Sequence, residues 1–499
     1  MKKVLRILLK RSVWAVISVF FAILFAILAV AKDAVVPHQK WIDNYFGVRR
    51  TFLVNDDKKD DAQAVDTNYY PTKYETYGEN DERVVSELVK MQNDALDASK
   101  RVNDEGMVLL WNKDNALPLS KTNENHVSTF GVHGLAYDNN GTWIDNWIYH
   151  GTGSANIDLR KNVGMVEENG LNIGPRLQLS LENRGIEYNQ KLIDSTWKNL
   201  EDKSTPNGYE AVQTGAKRDR KEVSWQLLQS DTGNKPLTEM KNTYGDAAIY
   251  VIGRYEGEGK DVKDKLNLTA EEKTVLKGLS DARAAGDVKK VIVVLLLPNP
   301  MNMKEFEEYS IDACLWAGYG GNTATEAVCD VLWGDVNPSG KVVDTWAYDA
   351  NSAPASVNYG DFKYADGSSI YNGAAEHNDA YVAYQEGIYV GYRYYETRYE
   401  DSVIGGRNAV SNKGTVAGNG NWNYSAEVKY PFGYGTGYTT FAYSGYSVAE
   451  KGDDYEISVT VTNLGNVAGK ESVQIYLQKP YTEYDVNKGI EKAAVELVG

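Results

Sequence analysis

Three acids stand close together in the stretch Val251-Ile252-Gly253-Arg254-Tyr255-Glu256-Gly257-Glu258-Gly259-Lys260-Asp261. A carboxylate between two glycines, as Glu258 is, has a backbone free to bend and a side chain free to reach outward. The stretch follows an apolar run that reads as a buried strand, and ligands in open α/β sheets bind beyond the carboxyl ends of strands. The residues alone leave two readings open, a site or an acidic surface loop. A phosphate cradle is a poor fit, because no Lys-Ser/Thr follows the glycines and the carboxylates would repel phosphate. Cys314 and Cys329 lie on a strand-like and a helix-like segment, with no Cys-x-x-Cys pair and only 5 His in the chain. That spacing disfavours a zinc site and a disulfide framework and reads as two buried, small apolar side chains.

The elements that must position the acids form a strand–helix rhythm. Apolar runs at Val127–Val132, Ala247–Ile252, Val291–Leu297 and Ala313–Gly318 are short, continuous and rich in β-branched or aromatic residues. Strands buried on both faces of a parallel sheet look like this. A shorter run, Gly106–Leu110, precedes a turn at Asn112–Leu119, and the apolar spacing over Glu82–Asp104 predicts an amphipathic helix. Thr269-Ala270-Glu271-Glu272 is a capping box that opens a helix running to Ala285. Thr323–Trp333 is a second helix, ended by Asn337-Pro338-Ser339-Gly340. The expected fold class is therefore α/β, a mainly parallel-sheet sandwich over 82–350.

From 351 to 440 the pattern fades into a loop-rich connection. From Phe441 the period becomes two: Tyr455, Ile457, Val459 and Val461 alternate with polar residues, Leu464-Gly465-Asn466 turns the chain, and Val473, Ile475 and Leu477 alternate again. This predicts an antiparallel hairpin of a β-sandwich. The segment 441–499 is shorter than the ~100 residues of a seven-stranded sandwich, so the expectation is an incomplete one.

At the other end, Lys2, Lys3, Arg6, Lys10 and Arg11 precede an apolar run from Val13 to Ala31 interrupted only by Ser18. Its length approaches the ~20 residues of a membrane-spanning helix. It is read as a transmembrane anchor within 1–31, with the lipid bilayer as partner, the basic end in the cytoplasm and the rest outside. Cleavage after Ala29-Val30-Ala31 is the alternative. The stretch 32–81, with its charged Asn55–Asp61, is a spacer. The net charge of −16 would repel a polyanion, so nucleic acid is excluded as a partner. The 35 Tyr suit sugar stacking but describe Tyr-rich strands equally well.

Six motifs in order resemble family 3 glycoside hydrolases: Gly106–Leu119, Gly253–Asp261, Leu315–Gly340, Glu386–Thr397, Tyr430–Phe441 and Val459–Lys470. They are similar to that family's α/β sandwich domain followed by its fibronectin type III-like domain. The resemblance implies a β-glucosidase-like enzyme acting on β-linked oligosaccharides, with no cofactor and no metal. It makes Glu258 the acid/base, carried on a Gly-Glu-Gly loop, and assigns the Asp nucleophile to a barrel. Retaining hydrolysis needs both, about 5–5.5 Å apart. Family members usually have Ser where this chain has Glu256, which faces solvent, tunes the proton donor or takes the acid role itself. Gly151-Thr152-Gly153-Ser154 resembles a structural turn of the family. No barrel or nucleophile motif is visible, so the expectation is an inverted domain order with the barrel C-terminal in the same polypeptide. The alternative is a non-catalytic, membrane-tethered sugar-binding or scaffold protein.

Overall fold

The computed structural model describes residues 97–134, 177–201, 222–254, 265–359, 386–401 and 422–499, with short pieces at 18–19, 21, 52–54, 74–76, 94–95, 166–168, 171–173, 362–364 and 380–384. The chain divides into two compact units, Met1–Ala95 and Leu96–Gly499. In the first, Phe52–Val54 pairs antiparallel with Tyr74–Thr76. Apart from Ser18, Val19 and Phe21, the expected anchor over 13–31 lies outside the described residues. Among the described residues, no helix is long and apolar enough to cross a membrane.

The second unit is built on one six-stranded sheet. Its strands are β1 (Val108–Asn112), β2 (His126–Phe130), β3 (Glu187–Tyr188), β4 (Ala247–Gly253), β5 (Val291–Leu296) and β6 (Ala313–Trp316), in the order β1-β6-β5-β4-β2-β3. Only β1 is antiparallel, on β6; the other four pairings are parallel. Every residue of β4 and β5 is buried. Alternate side chains feed two cores. Tyr250, Ile252, Val293 and Leu295 enter one, with Ile249, Val251, Ile292 and Val294 in the other. Helices cover both faces, which is why the strands are apolar throughout rather than alternating. Each buried Val, Leu or Ile contributes about 1.5–3 kcal/mol.

The first core is closed by α2 (Gln190–Glu201) and α5 (Ala270–Ala285), through Leu192, Ile193, Val275, Leu276 and Leu279. The second is closed by α1 (Leu177–Glu182) and α6 (Ala324–Leu332), through Leu177, Leu181, Ala327, Val328 and Val331. The shorter α3 (Trp225–Ser230) and α4 (Pro236–Asn242) flank α2 and α5. The capping box of α5 is formed: Thr269 Oγ1 accepts the Glu272 amide at 3.1 Å, and Glu272 Oε2 accepts the Thr269 amide at 2.8 Å. Gly286 ends that helix in the left-handed conformation, at φ 77°. Both cysteines are free and buried, Cys314 in the first core and Cys329 in the second.

Beyond the sheet, β7 (Trp346–Ala347) pairs antiparallel with β8 (Val428–Tyr430), so the connecting region returns to the sandwich. Between them α7 (Tyr392–Tyr399) was expected as loop. Its Tyr395 is buried beside Ala347, Trp422 and Val428 and meets the Ser352 hydroxyl at 3.1 Å. Tertiary packing of aromatic rings holds this helix where the local preference of four tyrosines does not ask for one.

The expected hairpin is corrected. The strand β10 (Asp454–Asn463) pairs with the segment before it, β9 (Phe441–Lys451), and β11 (Tyr476–Gln478) pairs with β12 (Val495–Leu497). A two-residue turn, Gly452-Asp453, closes β9 on β10, with Gly452 at φ 71°. Such tight turns need that conformation and outrank the longer Leu464–Asn466 bend. The period-two reading of β10 is seen from Ile457 on, where Ile457, Val459 and Val461 are half-buried between exposed neighbours, whereas Tyr455 is exposed. Gly445, at φ 63°, sits in a bulge where the β9–β10 register shifts between Ser444 and Ser447.

Candidate active site

The carboxyl edge of the parallel sheet gathers the ends of β2, β4, β5 and β6. Glu256, Glu258 and Asp261 lie in 255–264, outside the described residues, as does Gly151–Ser154. What the structure describes is the frame formed by the residues that flank 255–264.

That frame centres on Arg254, the residue after β4, which is 7% exposed. Its amide extends the ladder to the Leu296 carbonyl at 3.2 Å. Its guanidinium donates to both oxygens of Glu272, at 2.6 and 2.7 Å. It also donates to the carbonyls of Gly253 at 2.8 Å, Lys265 at 2.7 Å and Asn267 at 2.8 Å. A guanidinium has five N–H donors in a rigid fork, and here all are used. Two reach residues just after 264, so both ends of the segment meet at one side chain. Burial works against the Arg254 charge, but attraction to and hydrogen bonding with Glu272 outweigh it and hold the guanidinium above its ordinary range. Removing one partner of such a buried pair costs about 3–5 kcal/mol, because the other charge is left uncompensated.

Further bonds fix the frame. The Tyr319 hydroxyl, beyond β6, donates to the Arg254 carbonyl. The Leu268 amide donates to Glu305 Oε2 at 2.6 Å, and the Asn302 amide to the Leu266 carbonyl at 2.9 Å. At the end of β2, Gly131 has φ 101°, and a Cβ there would lie 2.1 Å from the Val251 carbonyl oxygen. Only glycine lets the chain pass so close to β4.

A second acid lies beneath this frame. Glu222 is buried, with Oε1 accepting the Val223 amide at 2.8 Å and Oε2 accepting the Val132 amide at 3.4 Å and the Tyr250 hydroxyl at 3.3 Å. Burial first, and the Glu272 charge second, push its carboxyl up to about 8, against the pull of those hydrogen bonds. Burial likewise raises the Tyr250 phenol well above its ordinary value, helped by the Glu222 charge.

Sequence reasoning missed this network. Glu272 was assigned to a cap alone, whereas its carboxylate both caps α5 and binds Arg254. A usable signal was an arginine placed directly after a fully apolar strand, where burial demands an acid nearby. Glu222 gave none, since it ends the charged run Lys217–Glu222 and reads as solvated. Among the described residues, no three His, Cys, Asp or Glu side chains gather as metal ligands.

With this geometry in place, the likenesses to known proteins are specific. The profile of the Glycosyl hydrolase family 3 C-terminal domain matches residues 107–392. A beta-glucosidase of Ruminococcus albus is 30% identical over 417 residues, which is 83% of this chain and 35% of that protein. Thermostable beta-glucosidase B of Acetivibrio thermocellus is 26% identical over 79% of this chain and 39% of its own length. The chain thus spans well under half the length of these relatives. Among solved structures, beta-glucosidase 3B from Thermotoga neapolitana in complex with alpha-D-glucose superposes with a TM-score of 0.54 at 27% identity, covering 82% of this chain and 46% of that one. A beta-glucosidase from Paenibacillus barengoltzii gives 0.55 at 26% identity, covering 81% and 36%.

Proposed function

The chain belongs to glycosyl hydrolase family 3, and on that premise we propose that it carries the acid/base half of a β-glucosidase-type active site, with Glu258 as the proton donor. The reading is supported by the way β4 ends. A fully buried strand ends at the carboxyl edge of the sheet directly before 255–264, and Arg254 binds the carbonyls of Lys265 and Asn267 directly after it. The relatives named as beta-glucosidases point to β-linked glucosides as the substrate class.

In this mechanism an Asp on a barrel domain attacks the anomeric carbon while the Glu258 carboxyl protonates the leaving oxygen. Water then attacks the glycosyl-enzyme, and the Glu258 carboxylate takes its proton. Glu258 must be protonated in the first step and ionised in the second, which asks for a pKa near the working pH. The nucleophile and the acid come from different domains, and holding the two domains together is what puts both carboxyls at one glycosidic bond.

Two further assignments belong to the same reading. The hairpins β9–β10 and β11–β12 form part of a fibronectin type III-like domain. The run 13–31 anchors the protein in a membrane, with the sandwich outside the cytoplasm. No observation favours the alternative of a tethered sugar-binding scaffold.

The test is Glu258→Gln in the protein that joins this sandwich to its barrel. Turnover of a β-linked glucose disaccharide is expected to fall on the order of 10²–10⁴-fold with the thermal unfolding curve unchanged. Unchanged turnover would remove Glu258 from the mechanism.

A further inference from the structure

We infer that the Arg254–Glu272 pair is a positioning device for the proton donor, a role that rests on the proposed function of Glu258. The chain between 254 and 265 is constrained by where those two flanking residues are held. Here one guanidinium holds both. It donates to Gly253 at the exit, and to Lys265 and Asn267 at the return. Glu272 takes the remaining two donors and is itself fixed at the start of α5 by the Thr269 amide. The orientation of the guanidinium is therefore set by a helix terminus, and the positions of both segment ends are set by the guanidinium. The fork is rigid and planar, so the exit and the return cannot shift separately without losing a bond. Tyr319 adds a third point by donating to the Arg254 carbonyl.

A lysine at 254 would keep the charge and a bond to Glu272. As a point charge with three donors it could not span Glu272, Gly253, Lys265 and Asn267 together. A glutamine at 272 would still accept the Thr269 amide and keep the helix start, while giving up the charge and the two-pronged bond. Neither change touches the carboxyl that meets substrate. Both are expected to leave the donor mispositioned rather than absent.

The measurement is kcat/KM, which reports the first chemical step, on two substrates. A β-linked glucose disaccharide needs a proton on its leaving oxygen, and a dinitrophenyl β-glucoside does not. Arg254→Lys and Glu272→Gln are expected to lose on the order of a hundredfold on the disaccharide, the scale of a displaced catalytic group, while keeping kcat/KM on the dinitrophenyl glucoside within about twofold. Glu258→Gln is measured alongside. If Glu258→Gln shows this selective loss and the two frame variants do not, or lose both substrates equally, the positioning role is overturned and the acid role of Glu258 stands. If Glu258→Gln shows no selective loss, the acid assignment itself fails. The two variants break the pair from opposite sides, so a folding failure in one leaves the other to decide.

Discussion

The Tyr250 hydroxyl donates to Glu222 Oε2 at 3.3 Å, and neither side chain is open to water. This places an ionisable acid inside the core, one strand-end away from the buried Arg254–Glu272 pair. Burial and the neighbouring Glu272 charge favour the neutral form of Glu222, raising its pKa from 4.5 to about 8.

The consequence is a pH-dependent stability of defined sign. Below the unfolded pKa both states hold the proton, and the contribution of Glu222 is at its most favourable. As pH rises from the unfolded value of 4.5 to the folded value of about 8, only the unfolded state has released its proton, so stability falls across that window and the loss is complete once pH passes about 8. The slope is about 1.4 kcal/mol per pH unit while the folded state alone retains the proton. Glu222→Gln, which stays neutral, is expected to abolish this component. Denaturant unfolding of both proteins at several pH values between 4 and 9 checks it, and parallel curves would contradict it.

A packing prediction concerns Gly278 in α5. A Cβ there would lie 2.1 Å from the ring of Trp225, which in turn stacks on Phe130 with centroids 6.0 Å apart. Helix propensity favours alanine over glycine by about 1 kcal/mol. Overpacking of this kind costs about 1–3 kcal/mol, and the indole has a stacked ring behind it. Gly278→Ala is therefore expected to be net destabilising by up to about 2 kcal/mol, and removing the ring in Gly278→Ala with Trp225→Leu should cancel the overpacking part. A stabilised single variant in thermal unfolding would show that the indole swings aside freely.

The thiols should be inert in the native state. Burial pushes Cys314 well above the ordinary thiol range and Cys329 up to about 12. Reaction needs exposed thiolate. A disulfide reagent is expected to label neither cysteine until the protein is unfolded, and both afterwards. Rapid labelling of the folded protein would contradict this packing.

These outcomes bear on what the sequence could tell in advance. Strands β4 and β5 were legible because a strand covered on both faces must be apolar at every position, a pattern few other elements share. The start of α5 was legible because Thr269 and Glu272 satisfy each other locally. Long-range choices were not. The partner of β10 was decided by the Gly452-Asp453 turn, and α7 by rings packing around Tyr395. The Arg254 clamp joins residues 254, 265, 267 and 272, and no periodicity reveals that Glu272 serves two donors at once. For Glu258, the glycine neighbours and the place after a strand left a site and a surface loop both open, and its acid/base role came only from the resemblance to family 3.

The most direct test of the central claim replaces Glu258 by glycine and supplies azide with a dinitrophenyl β-glucoside. If Glu258 is the acid/base, the first step proceeds without it, the glycosyl-enzyme accumulates for want of a base, and azide, which needs none, attacks it. The account predicts that azide restores kcat and that the product is β-glucosyl azide. Turnover that ignores azide and yields only glucose at the parent rate would contradict it.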